Sequence, residues 1–366
     1  LPQTAVSGLV PFSDVVDVRR FGLLLASLLL SAFVLWQIPR LKIDESHLLV
    51  FIGWATAIIC FSAAVLAWRS PMPHWRSWVQ AQRLPLLFVA NLFIVALLLR
   101  GWQLSTVPYV LGGDEASQGL EAVKIINGQI RNPFTTGWLG VPTMSFYFNS
   151  ITIRLMGQTT LALRLPWIFI GAATAVTTFF LARRLKGPWV GGITAVLVTT
   201  YHYHIHFSRL GSNQIADPFF LALALLFLLR ALDDGKLVDW LLVGVVSGLA
   251  FYFYAGARLT PVIVMAVLGY HFVRQPRQFF QQHQRGILVM MSVFLIVAAP
   301  MIQYAVRFPD DFNARVNQVG IIQSGWLERE VEIRNSNVFL IMNDQLRRAA
   351  LMFNYYPDRT VWYGLR

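Results

Sequence analysis

Nine apolar runs fix what this chain can fold into. Stretches long enough to cross a ~30 Å hydrocarbon layer lie near residues 21–38, 48–68, 84–100, 162–182, 188–207, 213–232, 238–254, 258–274 and 285–305. Backbone amides in lipid must pair within their own segment, so each run is expected to be a helix. The fold class this predicts is all-α: a polytopic membrane protein with about nine transmembrane helices. Composition agrees. The 366 residues are 56% hydrophobic and only 13% charged, against about 25% charged in soluble domains.

Lysines and arginines in the short loops set the orientation. Arg19 and Arg20 precede the first run; Arg69, Arg76 and Arg83 follow the second. Arg183, Arg184 and Lys186 follow the fourth, Lys236 the sixth, and Arg274, Arg277 and Arg285 the eighth. With nine alternating helices all of these fall on one face, which is expected to be cytoplasmic. The other face then holds 39–47, a long loop 101–161, the turns near Arg209 and Arg258, and the tail from 306. This requires "PTMSFYFNSITIRLMG" (142–157) to lie along the interface without crossing. Its length of about 16 residues is marginal for a span, and Arg154 suits an interfacial position.

The division expected is an N-terminal extension with two transmembrane helices (1–83), a membrane core (84–305), and the start of an incomplete C-terminal segment (306–366). The tail carries "NVFLIMNDQLRRAALMFNYY" (337–356), in which Val338, Ile341, Met342, Leu346, Ala349 and Phe353 recur at helical spacing. That pattern predicts an amphipathic helix on a membrane surface. Residues 1–18 lack an apolar core, so no cleavable signal peptide is expected, and both ends are read as trimmed. The single Cys60 allows no internal disulfide. The net charge of +12 reads as topology-setting loop arginines that also meet anionic lipid heads. The absence of a long basic stripe argues against nucleic acid.

Four polar features fall on the outer face. "LGGDEASQGLEAV" places Asp114 and Glu115 behind Gly112 and Gly113, at the start of a short amphipathic helix with a glycine stop at Gly128. Asp114 can cap that helix while Glu115 favours its positive end, and a capping acid can also serve as a base. "FSRLGSNQIADPFF" offers Asp217–Pro218 as a helix start, with Asp as cap and Pro in the first position, beside Arg209. "LAFYFYAGARLTPV" ends an aromatic run on Arg258, which is either a snorkelling belt arginine or a phosphate clamp. Arg164 is a weaker candidate of the same type. In "YHYHIH", His202 and His206 share a helix face at metal-site spacing, but no acid is adjacent.

The order of these motifs resembles the GT-C class of integral-membrane glycosyltransferases. It is most similar to the family of protein O-mannosyltransferases and the aminoarabinose transferase. In that family an Asp–Glu pair follows a membrane helix, as Asp114–Glu115 does here. "LMGQTTLALRLPWIF" puts Arg164 on a family arginine, and Ser208–Arg209, Asp217–Pro218 and "GLAFYFYAGAR" match later elements. The resemblance covers roughly 84–320. The aminoarabinose branch carries a Lys-Pro-Pro motif where this chain reads "GVPTMSF", without lysine, which argues against that substrate.

The resemblance implies transfer of a sugar, with inversion, from a polyprenyl-phosphate donor to a hydroxyl acceptor (protein, lipid or glycan). The active site would face outward from the inner cell membrane. Asp114 is the expected base, and Glu115 and Asp217 would orient the acceptor. Arg258, Arg209 and Arg164 would bind the donor phosphate, where fixed cations stabilise the charge of the departing lipid phosphate. Metal use varies within the class; if a divalent ion takes part, Asp114 and Asp217 are its expected ligands. Two other readings compete: a non-catalytic subunit of a larger membrane complex, which would bring partner subunits, and a transporter. A transporter places ionisable groups near mid-membrane, whereas these acids lie at helix ends.

Overall fold

The structure, a computed structural model, describes residues 18–66, 83–351 and Tyr355. Arg69, Arg76 and Phe353 lie outside them. Among the described residues there is no strand, only an isolated bridge between Thr136 and Pro142. Fifteen α-helices and five short 3-10 turns account for the rest of the regular structure.

The apolar runs do form helices. The first hairpin is α1 (Val18–Gln37) and α2 (Leu48–Val65), followed by α3 (Arg83–Gly101). Two short helices, α4 (Gly113–Ile126) and α5 (Thr143–Met156), come next. Then come α6 (Thr160–Lys186), α7 (Pro188–Thr200), the short α8 (His202–Ser208), α9 (Ala216–Asp234), α10 (Leu237–Leu249), α11 (Thr260–Arg274) and α12 (Pro276–Arg307). The tail adds α13 (Pro309–Val319), α14 (Trp326–Arg334) and α15 (Val338–Leu351). Six segments, containing α1, α2, α6, α9, α11 and α12, are long and apolar enough to cross a bilayer. The apolar stretches of α3, α7 and α10 are shorter. All nine expected runs are therefore helical, but three fall short of a full span alone. The run at 188–207 is in fact α7 and α8 broken at Tyr201. Helix α5 is not among the candidate spans. The expected tail helix forms as α15, with Ile341 buried and Phe339 and Leu346 exposed.

Small residues and a few hydrogen bonds draw the helices together, since hydrophobicity gives no advantage between helices surrounded by lipid. Ala96, Ala172 and Ala175 are fully buried where α3 meets α6. Ser27 Oγ donates to the Ala57 carbonyl at 2.8 Å, locking α1 to α2. Helix α12 contains Pro300, which supplies no amide to its ladder. Nearby, the Val297 carbonyl accepts from Trp54 Nε1 at 3.1 Å and from Tyr252 Oη at 2.7 Å. Trp54, Phe134 and Tyr252 meet edge to face, with centroids 5.5–6.0 Å apart. This aromatic knot joins α2, the loop before α5 and the end of α10. Tyr252 and Phe253 are therefore buried core residues.

The two ends of the bundle differ. At one end, Arg184 pairs with Asp233 and Asp234, joining the last turns of α6 and α9 among the basic loops. At the other end lie α4, α5, α8 and α13, together with every acid and arginine singled out as a site residue.

Candidate active site

Helix α4 begins at Gly113, with Gly112 as its N-cap. Asp114 and Glu115 thus sit in its first turn, where the helix dipole favours acids, and no side chain caps it. The expected Asp114 cap is not formed. Gly112 has φ −67° and ψ 155°, extended backbone open to any residue, so the glycine pair is not required by conformation. The helix does end as expected, with Gly128 at φ +73°.

Glu115 points inward. Its carboxylate receives Arg164 Nε at 2.6 Å and Nη2 at 3.0 Å, and the Gly211 amide at 2.7 Å. Arg164 is fully buried, and its Nη1 donates to the Leu104 and Pro108 carbonyls at 3.1 and 3.0 Å. Gly211 is needed here, because a Cβ would collide with Leu163 and crowd Glu115. One turn on, Gln118 donates to Ser212 Oγ at 2.9 Å and accepts from the Asn213 amide at 3.2 Å. From α5, Ser145 Oγ accepts from Asn213 Nδ2 at 3.0 Å, and Asn149 donates to the Gly211 carbonyl at 3.3 Å. The segment 211–213 is therefore gripped from two helices.

Arg209 lies under the loop before α4. It donates to the carbonyls of Leu99, Trp102, Gln103 and Val107 at 2.6–3.4 Å. These include carbonyls left unpaired where α3 ends, which a cation satisfies well. Arg209 and Arg164, expected to meet a donor phosphate, are instead engaged by protein oxygens and buried. Arg100 makes a similar tie, reaching the Val198 and Thr199 carbonyls at the end of α7. Gln118, Asn149 and Arg100 were not foreseen. The i, i+3 spacing of Glu115 and Gln118 was the available signal for the first, and a charge at the end of an apolar helix for the third.

Asp217 lies in the first turn of α9, whose N-cap is Ile215, not Asp217. A 3-10 turn, Asn213–Ile215, runs directly into the helix and leaves no side-chain cap. Asp217 instead accepts from the Ala257 amide. It packs so closely on Gly256 that a Cβ there would collide with its carboxylate. Two residues after Gly256, Arg258 donates to the Phe312 carbonyl at 2.8 Å and the Gly140 carbonyl at 3.2 Å. Its guanidinium stacks on the Phe312 ring, 3.6 Å from the centroid. Gly140 has φ +72°, and a Cβ there would lie 2.6 Å from the Asp311 carbonyl.

Asp114 faces a cavity of about 550 Å³ lined also by Tyr109, Val110, His206, Ser212 and Gln214. Tyr109 and Val110 on this rim are exposed, as is Leu111 next in the chain. Arg315 Nη2 is 3.8 Å from Asp114 Oδ2. That pair is loose, and Arg315 retains 27% exposure. Helix α13 therefore reaches both expected centres: Phe312 holds Arg258 and Arg315 faces Asp114. Arg315 was missed because its value depends on α13 folding back over the loops. Among the described residues no group of three or more His, Cys, Asp or Glu could hold a metal. Arg315 beside Asp114 also repels a cation, so these residues do not fit a divalent ion. His202 and His206 gain no third ligand.

The fold and this end of it define a multi-pass helical membrane protein with a cavity, rimmed by Asp114, where its helices end. Residues 140–304, a little under half of the chain, match the family model described as dolichyl-phosphate-mannose-protein mannosyltransferase. The resemblance read from the motifs thus holds over that stretch, and it is to a family of membrane glycosyltransferases. No curated protein and no solved structure matches the chain.

Proposed function

We propose that the chain transfers a sugar from a polyprenyl-phosphate donor to a hydroxyl acceptor on the extracytoplasmic face of the cell membrane. The observation that carries this reading is Asp114: a half-exposed carboxylate on a cavity rim, beside a cation, next to a residue that the fold locks in place. The family match over 140–304 supports the donor class. The exposed apolar rim at 109–111 suits a donor arriving from lipid.

In the reaction, the acceptor oxygen attacks the anomeric carbon and its proton passes to Asp114. The bond from that carbon to the lipid-phosphate oxygen breaks on the opposite side, and configuration inverts. The electron pair leaves with the lipid phosphate, which gains one negative charge. Arg315 is the partly exposed cation beside this position, and it stabilises charge that grows in the transition state. Arg258, with two of its nitrogens on carbonyls, contributes field from farther back, and Asp217 holds its turn. Glu115, Arg164 and Arg209 are positioning residues that fix the loop presenting Asp114. No step requires a metal.

The test is transfer by the purified chain in lipid nanodiscs, using radiolabelled polyprenyl-phosphate sugars with wild type and Asp114→Asn. Undiminished transfer by the variant would remove Asp114 as base. No donor cleavage by wild type with any polyprenyl-phosphate sugar would favour the non-catalytic reading.

A further inference from the structure

A second cavity, of about 270 Å³, opens at the same end of the bundle. Its apolar wall is the exit of α1, from Ile38 to Ile43, with Phe308. Its polar lining is Asn132, Thr135, Gln303, Tyr304, Arg307 and Asp311.

Three of these residues, Asn132, Thr135 and Gln303, turn polar groups toward a largely shielded wall. Asn132 is 8% exposed, and its Oδ1 accepts from the Phe134 amide at 2.8 Å. Thr135, 6% exposed, lines the cavity beside it. Gln303 donates to the Leu35 carbonyl at 2.7 Å, while its Oε1 is buried without a partner. Buried polar groups are normally satisfied, so the open Gln303 acceptor, beside the amide of Asn132 and the hydroxyl of Thr135, points to a ligand that brings hydroxyls. Arg307, the last residue of α12, and Asp311, in the first turn of α13, add a charge of each sign. The carboxylate disfavours a phosphate, whereas a pyranose has hydroxyls for the amides and charges and a C–H face for Phe308 and the Ile38–Ile43 wall.

The cavity's position links it to the first one. Asp311, Phe312 and Arg315 follow helical spacing along one face of α13, and Phe308 is the N-cap that precedes it. Phe308 and Asp311 line the second cavity, Phe312 stacks on Arg258, and Arg315 meets Asp114. Asp311 and Arg315 are separated by ~6 Å of helix rise. Of the lining residues, only Gln303 and Tyr304 fall within the stretch matched by the family. The cavity is thus built mainly by parts of the chain outside it.

We propose that this cavity is a subsite for a glycosyl unit of the acceptor, and that it sets which acceptor this chain uses. This rests on the transferase reading above. A short oligosaccharide seated here would extend along α13 and present a hydroxyl to Asp114.

The test uses the full chain in nanodiscs and saturation-transfer NMR with methyl hexopyranosides of gluco, manno and galacto configuration and methyl glucuronide. At least one glycoside receives saturation from wild type, and its apparent affinity falls tenfold or more in Arg307→Gln and Asp311→Asn. Both positions are exposed, so folding is retained, and Asn132→Leu probes the buried edge. Absence of saturation with every glycoside, or binding equal in all three variants, overturns the proposal. Displacement of the glycoside by inorganic phosphate at lower concentration than by free glycoside also overturns it. Donor cleavage to water by wild type is followed separately. Its loss with sugar binding intact would sink the transferase reading alone; the reverse would sink only the subsite.

Discussion

Glu115 and Arg164, 49 residues apart, form a two-bond ion pair that is almost wholly shielded from solvent. Each remaining lone pair or proton that the structure accounts for is met by backbone: Gly211 on the acid, Leu104 and Pro108 on the base. Removing one partner leaves a buried uncompensated charge, at a cost of ~3–5 kcal/mol, whereas replacing both with apolar residues costs far less. Glu115→Leu or Arg164→Leu alone should therefore lower stability by about that amount. The double variant should recover a large part of it. Equilibrium unfolding in mixed micelles measures both, and additive losses would show that the pair is not coupled.

Asp114, one residue before, should behave in the opposite way. It is partly exposed and only loosely paired. Asp114→Asn should leave the thermal midpoint unchanged and slow transfer by ~10²–10⁴-fold, the usual contribution of a general base. A fall in stability with transfer retained would make it a structural residue.

Arg315 should act on turnover. Arg315→Gln should lower kcat by ~10²–10³-fold, the usual cost of losing one group that stabilises developing charge. Arg315→Lys should restore part of that, as a point charge without the fork. A change confined to KM would place Arg315 on the ground-state donor.

Helix contacts in the bundle core depend on missing side chains. A Cβ at Gly244 would collide with the Met290 carbonyl on α12, whereas Gly192 on α7 has nothing within 4 Å. Gly244→Ala should destabilise by ~1–3 kcal/mol through overpacking. Gly192→Ala should be neutral or stabilise by up to ~1 kcal/mol, through helix propensity. The same unfolding measurement separates the two.

The orientation predicts labelling. In a Cys60→Ser background, Asn337→Cys should react with a membrane-impermeant maleimide added to intact spheroplasts, and Lys236→Cys should not. Both native residues are exposed, and they lie at opposite ends of the bundle. Reversed labelling would put the cavity end in the cytoplasm.

The apolar runs by themselves determined the helices, because a chain in lipid has no other way to satisfy its backbone. They also determined that acids and arginines gather at one end, since loop charge and helix count follow from order along the chain. Local spacing read the glycine stop at Gly128 and the tail helix at 338–351 correctly. It misplaced the caps: Asp114 and Asp217 look alike as helix starts, yet Asp114 faces a cavity and Asp217 packs on the Gly256 turn. Only the tertiary structure decided which cations are engaged. Arg164, Arg209, Arg258 and Arg315 carry the same charge in sequence. Three of them meet carbonyls or a carboxylate contributed by segments 49 to 118 residues away. A guanidinium's freedom is a property of the oxygens around it, and those oxygens are brought together by packing, which no local pattern encodes.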